Sequence, residues 1–153
     1  MFSSLRGSPI RAMKTAQART PAVARADLAF VAYLARDYDE AITWFQDALD
    51  WQLVEDTNMG DGKRWVRMAP STDARTQFLI ARADGPEQAA AIGQNAGGRV
   101  GYFLHTDDFA ALHDRMSRAG VVFEKTPRHE PYGTVAVFRD LYGNRWDLIE
   151  PKP

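Results

Sequence analysis

The chain has 153 residues, which suits one ordinary domain or two small half-domains that share a sheet, and its 45% hydrophobic content can fill a sizeable core. The formal net charge of −1 gives no reason to expect nucleic acid or an anionic membrane as a partner. The absence of cysteine excludes disulfides, thiolate metal sites and a cysteine nucleophile, and no apolar stretch reaches the roughly 18–20 residues of a membrane span. We therefore expect a soluble, cytoplasmic protein.

Residues 1–26 differ in composition from the rest of the chain. They contain five Lys and Arg side chains but no acid, because the first acidic residue is Asp27. This segment lacks the continuous apolar stretch of a secretory signal, although its composition is compatible with a transit peptide. We predict a basic, disordered N-terminal tail and assign it no function.

Residues 27–82 predict a first β-α-β-β-β unit. An apolar run at 29–35 is typical of a buried strand, and Asp37 and Glu40 have the spacing of a capping box at a helix start. The helix is expected to end near Leu49, with Asp50 in the left-handed conformation. Three further strands are predicted at 51–55, 64–69 and 76–81.

The same plan returns about 71 positions later, over residues 100–150. A strand at 100–106 precedes a helix at 109–119, and strands follow at 121–124, 134–139 and 145–150, with 127–133 predicted as a loop. Residues 83–99 form a connecting loop with one expected helical turn at 87–92. A loop of this length is usually a lid, a binding loop or a linker.

Several segments carry a resemblance to a known family. They are Asp37-Tyr-Asp-Glu-Ala-Ile-Thr-Trp-Phe45, Leu49-Asp-Trp-Gln-Leu53, Thr106-Asp-Asp-Phe109, Tyr132-Gly133 and Asp140-Leu-Tyr-Gly-Asn-Arg-Trp-Asp147. On these segments the chain resembles the vicinal-oxygen-chelate superfamily, which includes glyoxalase I, bleomycin-resistance proteins and extradiol dioxygenases. The resemblance implies an α+β fold of paired βαβββ modules, whose curled mixed sheets enclose a cleft that is often completed across a homodimer.

In the metal enzymes of this family, the cleft holds one divalent ion through ligands from both modules. Carried over to this sequence, the ligand positions fall on Phe30, Gln77, Gly101 and Asp147. Phe30 cannot coordinate a metal, Gly101 has no side chain and Gln77 is a poor ligand. Only Asp147 is a competent ligand, so we expect the family's usual metal site to be absent and no cofactor to be bound, and the chain departs here from the family's metal enzymes.

Several other polar residues are candidates for the site. Asp147 should face the cleft, either in a functional role or as the partner of Arg64, Arg67 or Arg139. His105 and Glu130 are the remaining acid or base candidates, whereas His113 and His129 are expected to be exposed. Trp44, Phe45 and Trp51 are predicted to lie in the core. The predicted ligand-binding residues are Phe30, Trp65, Arg67, Gln77, Phe103, His105, Glu130, Tyr132 and Asp147.

Three functions stay open at this point. The first is a homodimeric protein, like the bleomycin-resistance branch, that binds a small apolar or aromatic molecule without a metal. A second is a metal-dependent lyase, isomerase or dioxygenase in which Asp147 combines with His105 or Glu130 in a non-standard metal site. The third is a metal-free enzyme of the same fold that uses one of these three side chains as acid or base.

Overall fold

The computed structural model of the protein describes residues 24–153. The predicted N-terminal tail, residues 1–26, lies almost entirely outside the described residues. No helix within 24–153 is long and apolar enough to span a membrane.

The first module begins with strand β1 (Phe30–Ala35) and helix α1 (Tyr38–Leu49). The carboxylate of Asp37 accepts a hydrogen bond of 2.8 Å from the backbone N–H of Glu40, so the predicted cap is confirmed. Asp50 ends the helix with φ of 58°, the left-handed conformation expected from the sequence. Three strands complete the module: β2 (Gln52–Gly60), β3 (Lys63–Ala69) and β4 (Gln77–Arg82).

The second module repeats this order with two additions. A short helix, α2 (Gly85–Ala91), lies in the connecting segment, and the module then runs β5 (Val100–His105), α3 (Phe109–Arg118), β6 (Val122–Phe123), β7 (Arg128–Glu130), β8 (Gly133–Arg139) and β9 (Arg145–Pro151). The first sheet has the order β1-β4-β3-β2 and the second β5-β9-β8-β6, with β7 paired to β8. In each sheet the first strand pairs parallel to the last, and the other pairings are antiparallel. The paired-module α+β fold is therefore confirmed.

The two modules share one core. The rings of Tyr33 and Phe78 on the first sheet pack against Phe45 of α1, and the Phe78 ring lies 5.6 Å from that of Trp146 on the second sheet. Burial of such rings is the main source of stabilisation in a domain of this size. Each sheet therefore turns one side toward the shared core and helices, and alternation along the strands leaves its other side, here called the outer face, pointing away.

A buried carboxyl group also joins the modules. Asp140, in the turn between β8 and β9, accepts hydrogen bonds from the Tyr33 hydroxyl at 2.7 Å and from the Trp146 indole N–H at 2.9 Å. The side-chain amide of Asn144 donates a third, at 3.2 Å. Burial, reinforced by the neighbouring Asp140, raises the pKa of Tyr33 far above its ordinary value, so its hydroxyl stays a donor.

Four details differ from the sequence-based expectations. Strand β2 extends to Gly60 rather than ending at 55, because Asp61 and Gly62 alone make the tight turn, both with positive φ. The predicted loop at 127–133 contains β7, which pairs with β8. The ring of His113 is half-buried between Phe109 and Phe123, not exposed. Trp44 is only half-buried, whereas Phe45 and Trp51 are in the core as predicted.

Candidate functional site

The outer face of the first sheet brings together four of the predicted ligand-binding residues. Phe30 pairs with Gln77 across β1 and β4, and Trp65 and Arg67 alternate onto the same face of β3. The Trp65 and Phe30 rings pack nearly perpendicular to each other, with their centroids 5.9 Å apart. The Arg67 guanidinium lies 5.6 Å from the Phe30 centroid, within cation–π range. This face is an aromatic wall with a cation beside it.

The polar groups below this wall satisfy one another. Arg67 donates from Nε to Glu55 at 2.9 Å and from NH1 to the Gln77 side-chain oxygen at 2.7 Å. Gln77 in turn donates to the backbone oxygen of Ala74 at 3.1 Å. Hydrogen bonds from Thr57 and then Arg67 hold the pKa of Glu55 below its usual range. These polar side chains therefore hold one another in place, which would lower the ordering cost for a molecule that bound there.

Sequence reasoning missed Glu55 in this cluster. It stands directly opposite Arg67 in the β2–β3 register, and that register contains a bulge between Leu53 and Glu55. A bulge shifts every later pairing by one residue, and its position is not visible in the hydrophobic pattern.

The outer face of the second sheet carries the remaining candidates. Phe103 and His105 point outward from β5, and Phe103 pairs with Asp147 of β9. The Phe103 side chain is 63% exposed, which is unusual for a ring in the middle of a strand. Asp147 is half-buried, and desolvation raises its pKa although Arg128 and Arg145 oppose the shift.

The predicted ion-pair partners of Asp147 are wrong. Arg64, Arg67 and Arg139 each bind other carboxylates, because strand register places those acids closer. Within residues 24–153, no cation lies within ion-pair distance of Asp147, and the arginine on β7 that influences it was not among the predicted partners. The sequence placed that arginine in a loop, and only the pairing of β7 with β8 brings it onto this face.

Glu130 and Tyr132 lie at the rim of the second outer face. Arg128 donates to Glu130 at 2.9 Å, and the Tyr132 ring is 55% exposed. Across the part of the chain that the structure describes, no ion pair or aromatic pair joins the outer face of one sheet to that of the other. The nine predicted ligand-binding residues therefore form two groups, one on each sheet, and the sheets are not closed into a barrel.

The residues at the four ligand positions do not fit a divalent ion. Phe30 contacts Trp65 and Arg67 instead, and the side-chain oxygen of Gln77 is already used as an acceptor. At Gly101, a Cβ atom would come within 2.8 Å of the Ala96 Cβ, so any side chain there requires the connecting segment to shift. In residues 24–153, no three His, Asp or Glu side chains are grouped closely enough to hold a metal ion, which includes the non-standard set of His105, Glu130 and Asp147.

The connecting segment itself covers Gly101. Asn95 donates from its side chain to the Tyr102 hydroxyl, and its backbone N–H donates to the side chain of Asn144 at 3.2 Å. The Arg145 guanidinium donates a hydrogen bond of 3.2 Å to the backbone oxygen of Gly98. A side chain at Gly93 would collide with the backbone oxygen of Tyr142 at 2.0 Å. The segment is thus fastened to the second module at several points and occupies space beside β5.

Comparisons with known proteins agree with this architecture. The family model described as the Glyoxalase/Bleomycin resistance protein/Dioxygenase superfamily matches residues 27–148. An uncharacterized protein of Shewanella frigidimarina (strain NCIMB 400) is 47% identical over 121 residues, covering 78% of this chain and 90% of that protein. The solved structure of UcmS2 aligns with a TM-score of 0.71 and 29% identity, over 83% of this chain and 99% of that one. TnmS3, described as an antibiotic binding protein from Streptomyces sp. CB03234, aligns with a TM-score of 0.66 and 25% identity, over 85% of this chain and 99% of that one.

Proposed function

Because this chain belongs to the Glyoxalase/Bleomycin resistance protein/Dioxygenase superfamily, we propose that it binds a small apolar or aromatic molecule on the outer face of its first sheet, without a metal. The observation that carries the proposal is the wall of Phe30 and Trp65 above the hydrogen-bonded Arg67 and Gln77. Ligand sites combine apolar walls with a few fixed polar groups in this way.

The chemistry of this face favours a flat aromatic ligand. A ring that stacks on Trp65 gains dispersion and hydrophobic free energy, and the Arg67 guanidinium can lie against the face of a second ring. The similarity to TnmS3, an antibiotic binding protein, supports binding of a sizeable organic compound. The poor fit of Phe30 and Gly101 to metal ligation supports binding without an ion.

A homodimer belongs to the same proposal. Phe103 and Tyr132 are 63% and 55% exposed on the second outer face, and Phe30 is 38% exposed on the first. Apolar rings exposed on two open sheet faces favour coverage by another protein surface. In the proposed dimer, the second outer face of one protomer covers the first outer face of its partner, so that Phe103, His105, Glu130, Tyr132 and Asp147 become ligand-binding residues across the interface.

Tryptophan fluorescence provides the direct test. Trp65 is the tryptophan on the proposed binding face, whereas Trp51 and Trp146 are buried and Trp44 lies on α1. Protein dialysed against a chelator is titrated with N-phenyl-1-naphthylamine, a neutral aromatic probe. We expect saturable quenching of protein fluorescence whose amplitude falls more in Trp65→Phe than in Trp44→Phe, because energy transfer to the probe weakens steeply with distance.

Two results would contradict the proposal. One is the absence of saturable binding by the chelated protein together with its recovery on adding Zn²⁺, Ni²⁺, Mn²⁺ or Fe²⁺. The other is a quenching amplitude that falls more in Trp44→Phe than in Trp65→Phe, which would move the ligand to the helix side of the fold.

Metal-free acid–base catalysis is the second candidate, favoured by the raised pKa of Asp147. A half-buried carboxyl group without an ion-pair partner in residues 24–153 is suited to proton exchange with a ligand near Phe103. Aromatic carbonyl compounds incubated with the protein in D₂O should then take up deuterium next to the carbonyl group. Mass spectrometry would detect this uptake, and Asp147→Asn should abolish it. Uptake that is equal with and without protein would dismiss this candidate.

A further inference from the structure

A cavity of about 710 Å³ continues from the first outer face around the end of the sheet. Its apolar lining includes Trp65, Leu79 and Ala81, which alternate onto the outer face. The β2–β3 hairpin also lines the cavity, together with Tyr38 at the start of α1, whose hydroxyl accepts a hydrogen bond of 3.2 Å from the backbone N–H of Arg64. A volume of this size is within the range of about 300–1,000 Å³ that small-molecule sites occupy.

Three cations line the cavity, and their surroundings differ. Arg64 is held by Asp56 at 2.7 Å and by Asp39 at 2.9 Å, so its charge is already matched. Lys63 and Arg82 have no carboxylate within 4.0 Å among residues 24–153. These two side chains are therefore the ones with charge to offer to a ligand.

Contacts with Tyr38 and with the hairpin turn at Gly62 fix the position of the Arg82 side chain. Its guanidinium carbon lies 5.4 Å from the centroid of the Tyr38 ring, and a Cβ atom at Gly62 would be 3.3 Å from its NH2. Gly62 has φ of 78° and makes the tight turn of the hairpin, so the turn and the arginine head group lie together. Lys63 follows Gly62 directly in the chain, so Lys63 and the Arg82 head group both lie at the hairpin end of the cavity.

From this arrangement we infer that the ligand is an aromatic compound bearing a singly charged anionic group, with its rings on Trp65 and the anion between Lys63 and Arg82. This inference rests on the proposed function, whose binding face it extends. Asp61 and Asp84 also line the cavity. Because these two acids oppose a high negative charge, a carboxylate or sulfonate suits the site better than a phosphate dianion.

A pair of fluorescent probes separates the charge from the rings. N-phenyl-1-naphthylamine and 8-anilino-1-naphthalenesulfonate share one aromatic skeleton, and only the second has an anionic group. Both are titrated into wild type, Lys63→Gln, Arg82→Gln and the double variant, with Arg118→Gln as a control on the helix side of the second module. Thermal melting without probe verifies that each variant is folded.

Wild type should prefer the sulfonate probe, and the double variant should lose about tenfold in that preference while keeping its affinity for the neutral probe. The preference should also shrink as salt is raised, since exposed charges are screened. Arg118→Gln should behave as wild type. Equal binding of both probes by wild type, or a preference that survives in the double variant, overturns the anion subsite while the proposed function stands. Failure of both probes to bind overturns the two together.

Discussion

The two modules have the same order of elements but opposite kinds of outer face. On the first sheet, Arg67 and Gln77 complete their hydrogen bonds within the sheet and leave an aromatic wall above them. On the second sheet, Phe103 stands exposed beside Asp147, a carboxylate without an ion-pair partner in residues 24–153. The first face is therefore the proposed ligand face, and the second is the face that the proposed dimer would cover.

The matched positions Phe30 and Gly101 show how the faces diverged. Both begin the outer face of the first strand in their module, and both are metal-ligand positions by the family resemblance. A ring fills the first position, while the connecting segment, through Ala96, crowds the second. A shared fold therefore keeps the positions, and the local neighbours decide what chemistry they can support.

The two modules should differ most in how much the last turn of each contributes to the free energy of unfolding. Asp140→Ala would leave the Tyr33 hydroxyl, the Trp146 indole and the Asn144 amide without their buried acceptor, at a cost on the order of 3–5 kcal/mol. The control Asp73→Ala, in the β3–β4 connection, removes one exposed hydrogen bond from Ser71 and should cost under about 0.5 kcal/mol. Urea unfolding measures both, and similar midpoints would contradict the assigned role of Asp140.

Truncation of the aromatic wall should affect binding rather than folding. Trp65→Ala removes the surface on which a ring would stack and should weaken N-phenyl-1-naphthylamine by about 2 kcal/mol, or roughly thirtyfold. Isothermal titration in chelator would record the loss. Trp44→Ala, a truncation on α1, should leave the affinity within about twofold. Equal losses in the two variants would mean that the probe does not bind at the wall.

The crowding at Gly101 predicts a smaller effect, of about 1 kcal/mol, on stability. In Gly101→Ala the new Cβ would meet the Ala96 Cβ at 2.8 Å, so the connecting segment has to shift. Ala96→Gly should relieve this strain, and a double-mutant cycle by thermal unfolding would show a favourable coupling between the two changes. Strictly additive effects would contradict the assignment of Ala96 as the residue that closes this position.

Two carboxylates of the second module should make contributions to stability that change with pH in opposite directions. Burial raises the pKa of Asp147, so its contribution to stability is present below about pH 4 and is lost as pH rises through its folded-state pKa. Asp147→Asn should therefore melt higher than wild type at pH 7, with a gain that shrinks toward pH 4.

Glu124 is the control for this prediction. Its pKa is lowered first by the hydrogen bond from Arg145, so its contribution is present above about pH 4.3 and is lost as pH falls through its folded-state pKa. Glu124→Gln should melt lower than wild type at pH 7, and the deficit should shrink on acidification. A common sign for the two variants would show that general charge, not local environment, controls the effect.

Much of the fold followed from the sequence because the two unit patterns are strong. The caps at Asp37 and Asp50 and the alternation of Trp65 with Arg67 depend on local chemistry that one segment contains by itself. The grouping of Phe30 with Gln77 also followed, because the first strand of each module pairs with the last.

The features that the sequence did not predict depend on contacts between segments distant in the chain. The Glu55 partner of Arg67 follows a β-bulge, and the influence of Arg128 on Asp147 requires a short strand hidden in a polar loop. The docking of the connecting segment beside Gly101 depends on hydrogen bonds of Asn95 and Gly98 and on close packing at Ala96, none of which follows a periodic sequence pattern. Strand register and the packing of loops were therefore the features that the sequence alone could not predict.

Hydrogen exchange with and without N-phenyl-1-naphthylamine, in chelator-dialysed protein, tests the central claim most directly. The probe should slow hydrogen exchange most in peptides that contain β3 (Lys63–Ala69) and β4 (Gln77–Arg82), because these strands carry Trp65 and Gln77. Exchange in these two strands that stays unchanged at saturating probe would contradict ligand binding on the first outer face.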